Sequence, residues 1–139
     1  MDVANLNFKN YHGVNTFHRY LDCLSQVYSD IVSLETIGQS TEGRALKVIK
    51  IGKPATDGRL KPAVWIDAGI HAREWIGPAV VTWMLKELVE NDNAHPELTE
   101  NLDWYILPVH NPDGYAYTQS NNRMWRKTRY IITNLLSKG

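Results

Sequence analysis

The sequence predicts an α/β fold, with a mixed, largely parallel sheet flanked by helices, and three observations support it. Residues 63–68 and 104–109 are short apolar runs, typical of strands that are buried on both faces. Between them, apolar residues at helical spacing mark one face of a helix over residues 80–88. A strand, a helix and a second strand in this order predict a right-handed crossover with parallel strands. At 139 residues, the chain has the length of one domain.

The segments outside this unit carry their own signals. Residues 15–28 repeat apolar side chains every three or four positions behind a possible cap at Asn15, which predicts an amphipathic helix. Residues 31–37 and 46–51 are rich in β-branched side chains, and the stretch between them carries turn residues, so we expect a hairpin. Residues 96–102 favour a short additional helix.

Composition excludes several classes of protein. Hydrophobic residues make up 43% of the chain and charged residues 22%, so the sequence is that of a folded globular domain and not of a disordered chain. Cys23 is the only cysteine, which excludes an internal disulfide and a zinc site built from cysteines. No apolar run is long enough for a membrane span, and the first thirty residues lack the apolar core of a signal peptide.

Charge is distributed unevenly although the formal net charge is zero. Five of the fifteen Lys and Arg residues, and none of the fifteen Asp and Glu residues, fall in residues 123–139. A basic end of this kind raises the possibility of nucleic-acid binding, because clustered cations release counterions from phosphates. The cluster is short and no nucleic-acid-binding motif accompanies it, so we expect no nucleic-acid partner.

The first candidate for chemistry follows the predicted strand at residues 63–68, because function collects at the carboxyl ends of parallel strands. His71 and Glu74 are three residues apart, so that on a turn their imidazole and carboxylate can converge on one point. These are ligand types that zinc accepts at about 2 Å. The spacing alone favours an ordinary hydrogen-bonded or charged pair, and His110, at the end of the other strand, is a weak candidate for a further ligand.

The second candidate follows residues 104–109. Residues 111–115 read as a tight turn, and residues 122–129 form a segment rich in arginine. A guanidinium group stays charged and presents a planar fork of donors, so it can polarise a carbonyl group or bind a carboxylate. On composition alone, a solvated basic face is the simpler interpretation of residues 122–129.

Together and in this order, these segments resemble the zinc metallocarboxypeptidases of the pancreatic carboxypeptidase A and B type. The most specific similarities are the runs His-x-Arg-Glu-Trp at residues 71–75 and Asn-Arg-x-Trp-Arg-Lys-Thr-Arg at residues 122–129. The similarity extends over nearly all of residues 8–129 and includes Tyr11-His12 and the segments 41–44, 67–75 and 111–115.

This resemblance implies a function and roles for four residues. His71 and Glu74 would be two of the three ligands of a Zn2+ ion, Arg126 would polarise the scissile carbonyl and stabilise the oxyanion, and Arg73 would contact the substrate. The implied reaction is hydrolysis of carboxyl-terminal residues from peptides. The expected partner is a peptide or protein with a free carboxyl terminus. We expect a secreted monomer that does not bind membranes, although this chain has no signal peptide.

The sequence departs from this family after Arg129. The family's third zinc ligand, its glutamate base and its groups for the substrate carboxylate lie further downstream than any residue that matches here. We therefore expect residues 1–129 to be the amino-terminal part of a catalytic domain, with an incomplete sheet, and residues 130–139 to be an unmatched tail. The chain is expected to be truncated and inactive by itself. The alternative is a non-catalytic product that at most binds peptides or partners.

Overall fold

The fold was determined as a computed structural model that describes residues 6–130. The predicted tail at 130–139 therefore lies, apart from Tyr130, outside the described residues. The elements follow one another along the chain as helix α1 Val14–Val27, strands β1 Val32–Gln39, β2 Ala45–Ile51 and β3 Ala63–Asp67, helix α2 Ile76–Glu90, a 3₁₀ turn Asp92–Ala94, helix α3 Glu97–Glu100, strand β4 Asp103–Leu107 and helix α4 Pro112–Ser120.

The four strands form one mixed sheet in the order β1-β2-β4-β3. β1 and β2 are the predicted antiparallel hairpin, and β3 pairs with β4 in parallel, as the crossover predicted. β2 is antiparallel to β4, with Ile49 opposite Ile106. The mixed α/β class is confirmed. Within residues 6–130, however, only the β3–β4 pair is parallel, because the hairpin is inserted beside β4, so the prediction of a largely parallel sheet does not hold there.

The core lies between the sheet and the apolar faces of α1 and α2. Leu24 of α1, Leu85 of α2 and Ile49 and Ile106 of the sheet are completely inaccessible to solvent. They belong to one cluster of buried side chains. The periodicity that predicted both helices therefore marks the faces that the helices bury.

Two local predictions need correction. α1 begins at Val14 after Gly13, so Asn15 lies inside its first turn and is not its cap. β3 was predicted to be buried on both faces, but Trp65 is 53% exposed. Exposed and half-buried residues alternate along β3, and Ile66 packs against the core cluster, so the described helices cover one face of the strand and leave the face of Trp65 open.

The segment that follows β4 is the start of a helix rather than an isolated turn. The side chain of Asn111 caps α4 by accepting a hydrogen bond from the backbone N–H of Gly114 (3.0 Å), and Pro112 occupies the first turn. Residues 6–130 contain no helix that is both long and apolar enough to cross a membrane.

Candidate metal centre

The candidate site is built on the carboxyl ends of β3 and β4, which lie side by side. Beyond the strands, the backbone N–H of Asn111 donates to the carbonyl oxygen of Gly69 (3.1 Å), which holds the two following segments together. Gly69 has a φ of 69°, in the left-handed region that favours glycine. A Cβ atom there would also lie 3.0 Å from Cγ of Pro78. Gly69 thus lets the chain turn sharply from β3 into the segment that carries His71.

His71 and Glu74 meet on one turn, as their spacing predicts. The backbone N–H of Glu74 donates to the carbonyl oxygen of His71 (3.1 Å), and Nδ1 of His71 lies 3.0 Å from Oε1 of Glu74. Two ligand atoms that each lie about 2 Å from a tetrahedral ion are about 3.3 Å apart, so the observed separation fits a shared metal ion. It also fits the hydrogen-bonded pair that the sequence left open. The His71 side chain is 34% exposed and that of Glu74 is 56% exposed, so both are accessible from solvent.

Arg126 reaches the same point from a distant part of the sequence. The backbone N–H of Ala72 donates to the carbonyl oxygen of Arg126 (3.1 Å), and Nη2 of Arg126 lies 3.4 Å from Nδ1 of His71. The fold therefore brings an exposed guanidinium group next to the imidazole and the carboxylate. A cation beside two metal-type ligands can stabilise negative charge that develops on a bound carbonyl oxygen.

Arg73 lies on the same turn and is exposed. Its carbonyl oxygen accepts a hydrogen bond from Nη1 of Arg123 (2.9 Å), and the guanidinium carbon of Arg123 is 3.8 Å from the ring centroid of Trp75. Trp75 is held in turn by its Nε1–H, which donates to Oγ1 of Thr118 (2.8 Å). The sequence did not predict that Arg123 holds this turn, because Arg123 and Arg73 are fifty positions apart and no short-range pattern relates them.

The arginine-rich segment is more than a solvated basic face. Arg123 lies over Trp75, and the guanidinium carbon of Arg129 is 4.0 Å from the ring centroid of Tyr117. Nε of Arg129 also donates to Oε1 of Glu42 (3.3 Å). Two of the arginines therefore attach the segment to the rest of the molecule, and Arg126 between them faces His71.

His110 does not supply a further ligand. Its Nδ1 lies 3.5 Å from Oδ1 of Asp67, and the two side chains form a separate pair. Among residues 6–130, no three His, Cys, Asp or Glu side chains are grouped closely enough to hold a metal ion. The hypothesis that His110 completes the site is therefore wrong for the part of the chain that the structure describes.

A buried carboxylate joins the start of α4 to the loop between β1 and β2. Asp113 is 3% exposed, and it accepts hydrogen bonds from Oγ of Ser40 (2.7 Å), the backbone N–H of Glu42 (2.9 Å) and Nη1 of Arg44 (2.6 Å). Burial by itself would raise the pKa of the Asp113 carboxyl group. The hydrogen bonds and the charge of Arg44 outweigh burial and hold this pKa below its ordinary value. The segments 41–44 and 111–115 were noted in the sequence without a role, and this network joins them.

The α/β fold thus carries an imidazole, a carboxylate and a guanidinium group at the end of its parallel strand pair, and comparisons with known proteins identify its family. The sequence profile of the zinc carboxypeptidase family matches residues 17–134. Carboxypeptidase B of Astacus astacus is 43% identical over 124 residues, which are 89% of this chain and 40% of that protein. Carboxypeptidase A1 of Sus scrofa is 41% identical over 130 residues, which are 91% of this chain and 30% of that protein.

Solved structures show the same relationship. The crystal structure of thrombin-activatable fibrinolysis inhibitor superposes with a TM-score of 0.86 at 38% identity, covering 91% of this chain and 32% of that one. Carboxypeptidase A from Helicoverpa armigera superposes with a TM-score of 0.85 at 34% identity, covering 93% and 31%. The chain therefore belongs to the zinc carboxypeptidase family, which confirms the resemblance seen in the sequence. It spans 40% or less of the length of these relatives.

Proposed function

We propose that residues 1–129 are the amino-terminal part of the catalytic domain of a zinc-dependent metallocarboxypeptidase, which releases carboxyl-terminal residues from peptides. The observation that carries this proposal is the convergence of His71, Glu74 and Arg126 at the end of the β3–β4 pair. The proposed substrate is a peptide or protein with a free carboxyl terminus. Family membership also supports an extracellular location and a monomeric state, without nucleic-acid or membrane binding.

In this proposal, His71 and Glu74 are two of the residues that hold a Zn2+ ion. A bound zinc ion supplies a Lewis acid for a carbonyl group and lowers the pKa of its water to about 7. Arg126 donates hydrogen bonds to the carbonyl oxygen of the scissile peptide and to the oxyanion that replaces it. Arg73, on the same turn, binds the substrate. The exposure of these side chains leaves them open to a peptide.

The 139-residue chain by itself should bind zinc weakly and show no measurable carboxypeptidase activity. A catalytic zinc site takes three protein ligands and a water, whereas His71 and Glu74 supply two. Loss of a ligand reduces both the affinity and the geometric definition of the site. We therefore propose that the activity belongs to the complete catalytic domain, and that His71 and Glu74 form only part of its metal site. The runner-up is a non-catalytic protein that binds peptides or partners through residues 122–129.

Zinc titration of the purified chain tests the metal site. We expect one-to-one binding, detected by isothermal titration calorimetry and by movement of the His71 ring resonances, and we expect it to be lost in His71→Ala and in Glu74→Gln. His95→Ala is a matched control, because His95 forms a comparable exposed pair with Glu97 (Nδ1 to Oε1, 3.4 Å) away from the site. Zinc binding that survives both site variants, or that is absent from the unmodified chain, would contradict the metal assignment.

A chromogenic carboxypeptidase substrate tests the proposal that this chain is inactive by itself. We expect no zinc-dependent release of the carboxyl-terminal residue by this chain. Release that is abolished in His71→Ala would show that the chain is active and would refute the proposal of an incomplete site. If the chain instead binds peptides in the absence of zinc, with the same affinity in His71→Ala, the non-catalytic alternative is favoured.

A further inference from the structure

The two segments that form the candidate site are joined by a side chain that belongs to neither of them. Asn111 is 5% exposed and lies between the segment that carries His71 and the segment that carries Arg126. Its Nδ2 donates to the carbonyl oxygen of Ile70 (3.3 Å), which directly precedes His71, and to that of Lys127 (3.0 Å), which directly follows Arg126.

The hydrogen-bonding capacity of Asn111 is divided among three segments. A carboxamide has two N–H donors and one carbonyl acceptor, and here each donor serves a different segment. The acceptor, Oδ1, binds the backbone N–H of Gly114 and caps α4. Serine can keep the cap but lacks the two donors, and aspartate has an acceptor and no donor. The asparagine side chain therefore does more than helix capping requires.

Gly114 provides the room that this arrangement needs. A Cβ atom at Gly114 would lie 2.6 Å from Nδ2 of Asn111, 2.6 Å from the carbonyl oxygen of Lys127 and 2.9 Å from Cβ of Ala72. Contacts below 3.0 Å would force the segments apart. The close approach of the Lys127 backbone to Asn111 thus depends on the absence of a side chain at position 114.

We propose that Asn111 is a positioning residue that holds the His71 segment and the Arg126 segment in register. The two segments are distant in sequence, and one backbone hydrogen bond, from Ala72 to Arg126, links them directly. The other direct contacts between them are made by the exposed side chains of Arg123 and Arg126. By binding Ile70 in one segment and Lys127 in the other, Asn111 sets where the guanidinium group of Arg126 lies relative to the imidazole of His71. The importance of this for catalysis rests on the proposed function, but the coupling of the segments does not.

Amide hydrogen exchange measured by NMR on the unmodified chain and on Asn111→Ser tests the proposal. In Asn111→Ser we expect the amide of Ala72 to exchange about tenfold faster, because hydrogen bonds that hold its acceptor segment are lost. The amide of Gly114 should keep most of its protection, since serine still caps α4. If Asn111 only caps the helix, Gly114 will lose protection no less than Ala72, and that result would overturn the proposal.

Two control variants separate positioning from general destabilisation. Thr99→Val removes a hydroxyl group that is just as inaccessible, on α3 at the opposite end of the sheet, and should leave the relative protection of Ala72 unchanged. Asn101→Ser removes a side-chain hydrogen bond to the carbonyl oxygen of Glu97 (3.1 Å) at an exposed position and should have no effect at the site. Equal loss of Ala72 protection in Thr99→Val and Asn111→Ser would contradict a specific role for Asn111.

A measurement on the unmodified chain keeps the test valid if Asn111→Ser does not fold. The carboxamide protons of Asn111 should exchange at least about tenfold more slowly than those of the exposed Asn101, because two of its bonds are internal. Equal exchange would refute the proposal. Titration with Zn2+ alone then separates the two claims: if the chain binds no zinc, the proposed function fails, whereas the exchange of Ala72 and Asn111 still decides the positioning role.

Discussion

Both ends of the β3–β4 pair contain buried polar side chains, but only the carboxyl end presents the side chains of the candidate metal centre to solvent beside them. At the amino end, the side chain of Lys61 is only 4% exposed, and its Nζ donates to the carbonyl oxygens of Lys53 (2.6 Å) and Thr99 (2.9 Å) and to Oδ1 of Asp103 (2.7 Å). The ammonium group thus has a partner for each of its three hydrogens. The polar groups of this end are directed at one another.

At the carboxyl end, the buried polar side chains bind groups of the neighbouring loops, and a second set of polar side chains stays open to solvent. Asn111 and Asp113 are 5% and 3% exposed, and they hold the surrounding loops. Above them, His71, Glu74 and Arg126 are accessible to solvent. The difference teaches that the amino end is built for stability, whereas the carboxyl end uses a stable layer to present groups that can bind a ligand.

The largest effect that sharpens this comparison is expected at the amino end. Lys61→Met should lower the free energy of unfolding by about 3 kcal/mol, because it leaves buried carbonyl oxygens without their donor and Asp103 with Lys50 as its remaining ion-pair partner. Urea denaturation followed by circular dichroism measures this loss. Lys53→Met, at a more exposed ion pair with Asp92 (2.8 Å), should lower the free energy of unfolding clearly less, because solvent screens that pair. Equal losses in the two variants would show that Lys61 does not organise this end.

An intermediate effect is expected at the carboxyl end. Gly114→Ala should lower the free energy of unfolding by about 2 kcal/mol, because the new Cβ would overlap the carbonyl oxygen of Lys127. It should also shift the amide resonances of Ala72 and Arg126 in NMR spectra. Gly38→Ala is the control, since its Cβ would come no nearer than 3.9 Å to Leu46. A Gly114→Ala chain with unchanged stability and resonances would contradict the tight junction described for this end.

The smallest effect depends on pH. The pKa of Asp113 is lower in the folded chain than in the unfolded chain, so its stabilisation is fully present above the ordinary pKa of about 4 and is lost as the pH falls through the folded value. Asp113→Asn should therefore lower the free energy of unfolding by about 1.5 kcal/mol at neutral pH, and the difference should vanish in acid. Urea denaturation across this pH range measures it.

A matched substitution at an exposed carboxylate provides the comparison for Asp113. The side chain of Asp57 is 59% exposed, next to Arg59, so Asp57→Asn should change stability by less than about 0.5 kcal/mol at any pH. If the loss in Asp113→Asn stays constant as the pH is lowered, the ionised carboxylate does not provide the stabilisation, and the network around it contributes only through packing.

Much of the fold could be predicted because its signals are local. Helical spacing marks α1 and α2, and alternating β-branched residues with a turn mark the β1–β2 hairpin, so that each pattern requires only the neighbouring residues. The parallel pairing of β3 and β4 followed from their order. The exposure of Trp65 could not be predicted, because it depends on which face of β3 the helices cover in the folded chain.

The candidate site likewise has a part that local sequence predicts and a part that it does not. The spacing of His71 and Glu74 within one turn predicted that their side chains meet, and they do, at 3.0 Å. The position of Arg126 beside His71 joins residues 55 positions apart, and no local pattern contains it. Residues 111–115 looked like a plain turn because the contacts that give Asn111 and Asp113 their importance come from segments far along the chain.

By itself, the sequence determined the α/β class, the principal helices and strands, and the zinc carboxypeptidase family, because these depend on residue types and short spacings that survive outside a folded structure. Only the tertiary structure decided that His110 pairs with Asp67, that Arg123 and Arg129 stack on aromatic rings, and that Asn111 joins the two halves of the site. Such contacts are set by distances between segments, and these distances exist only once the sheet and helices have packed.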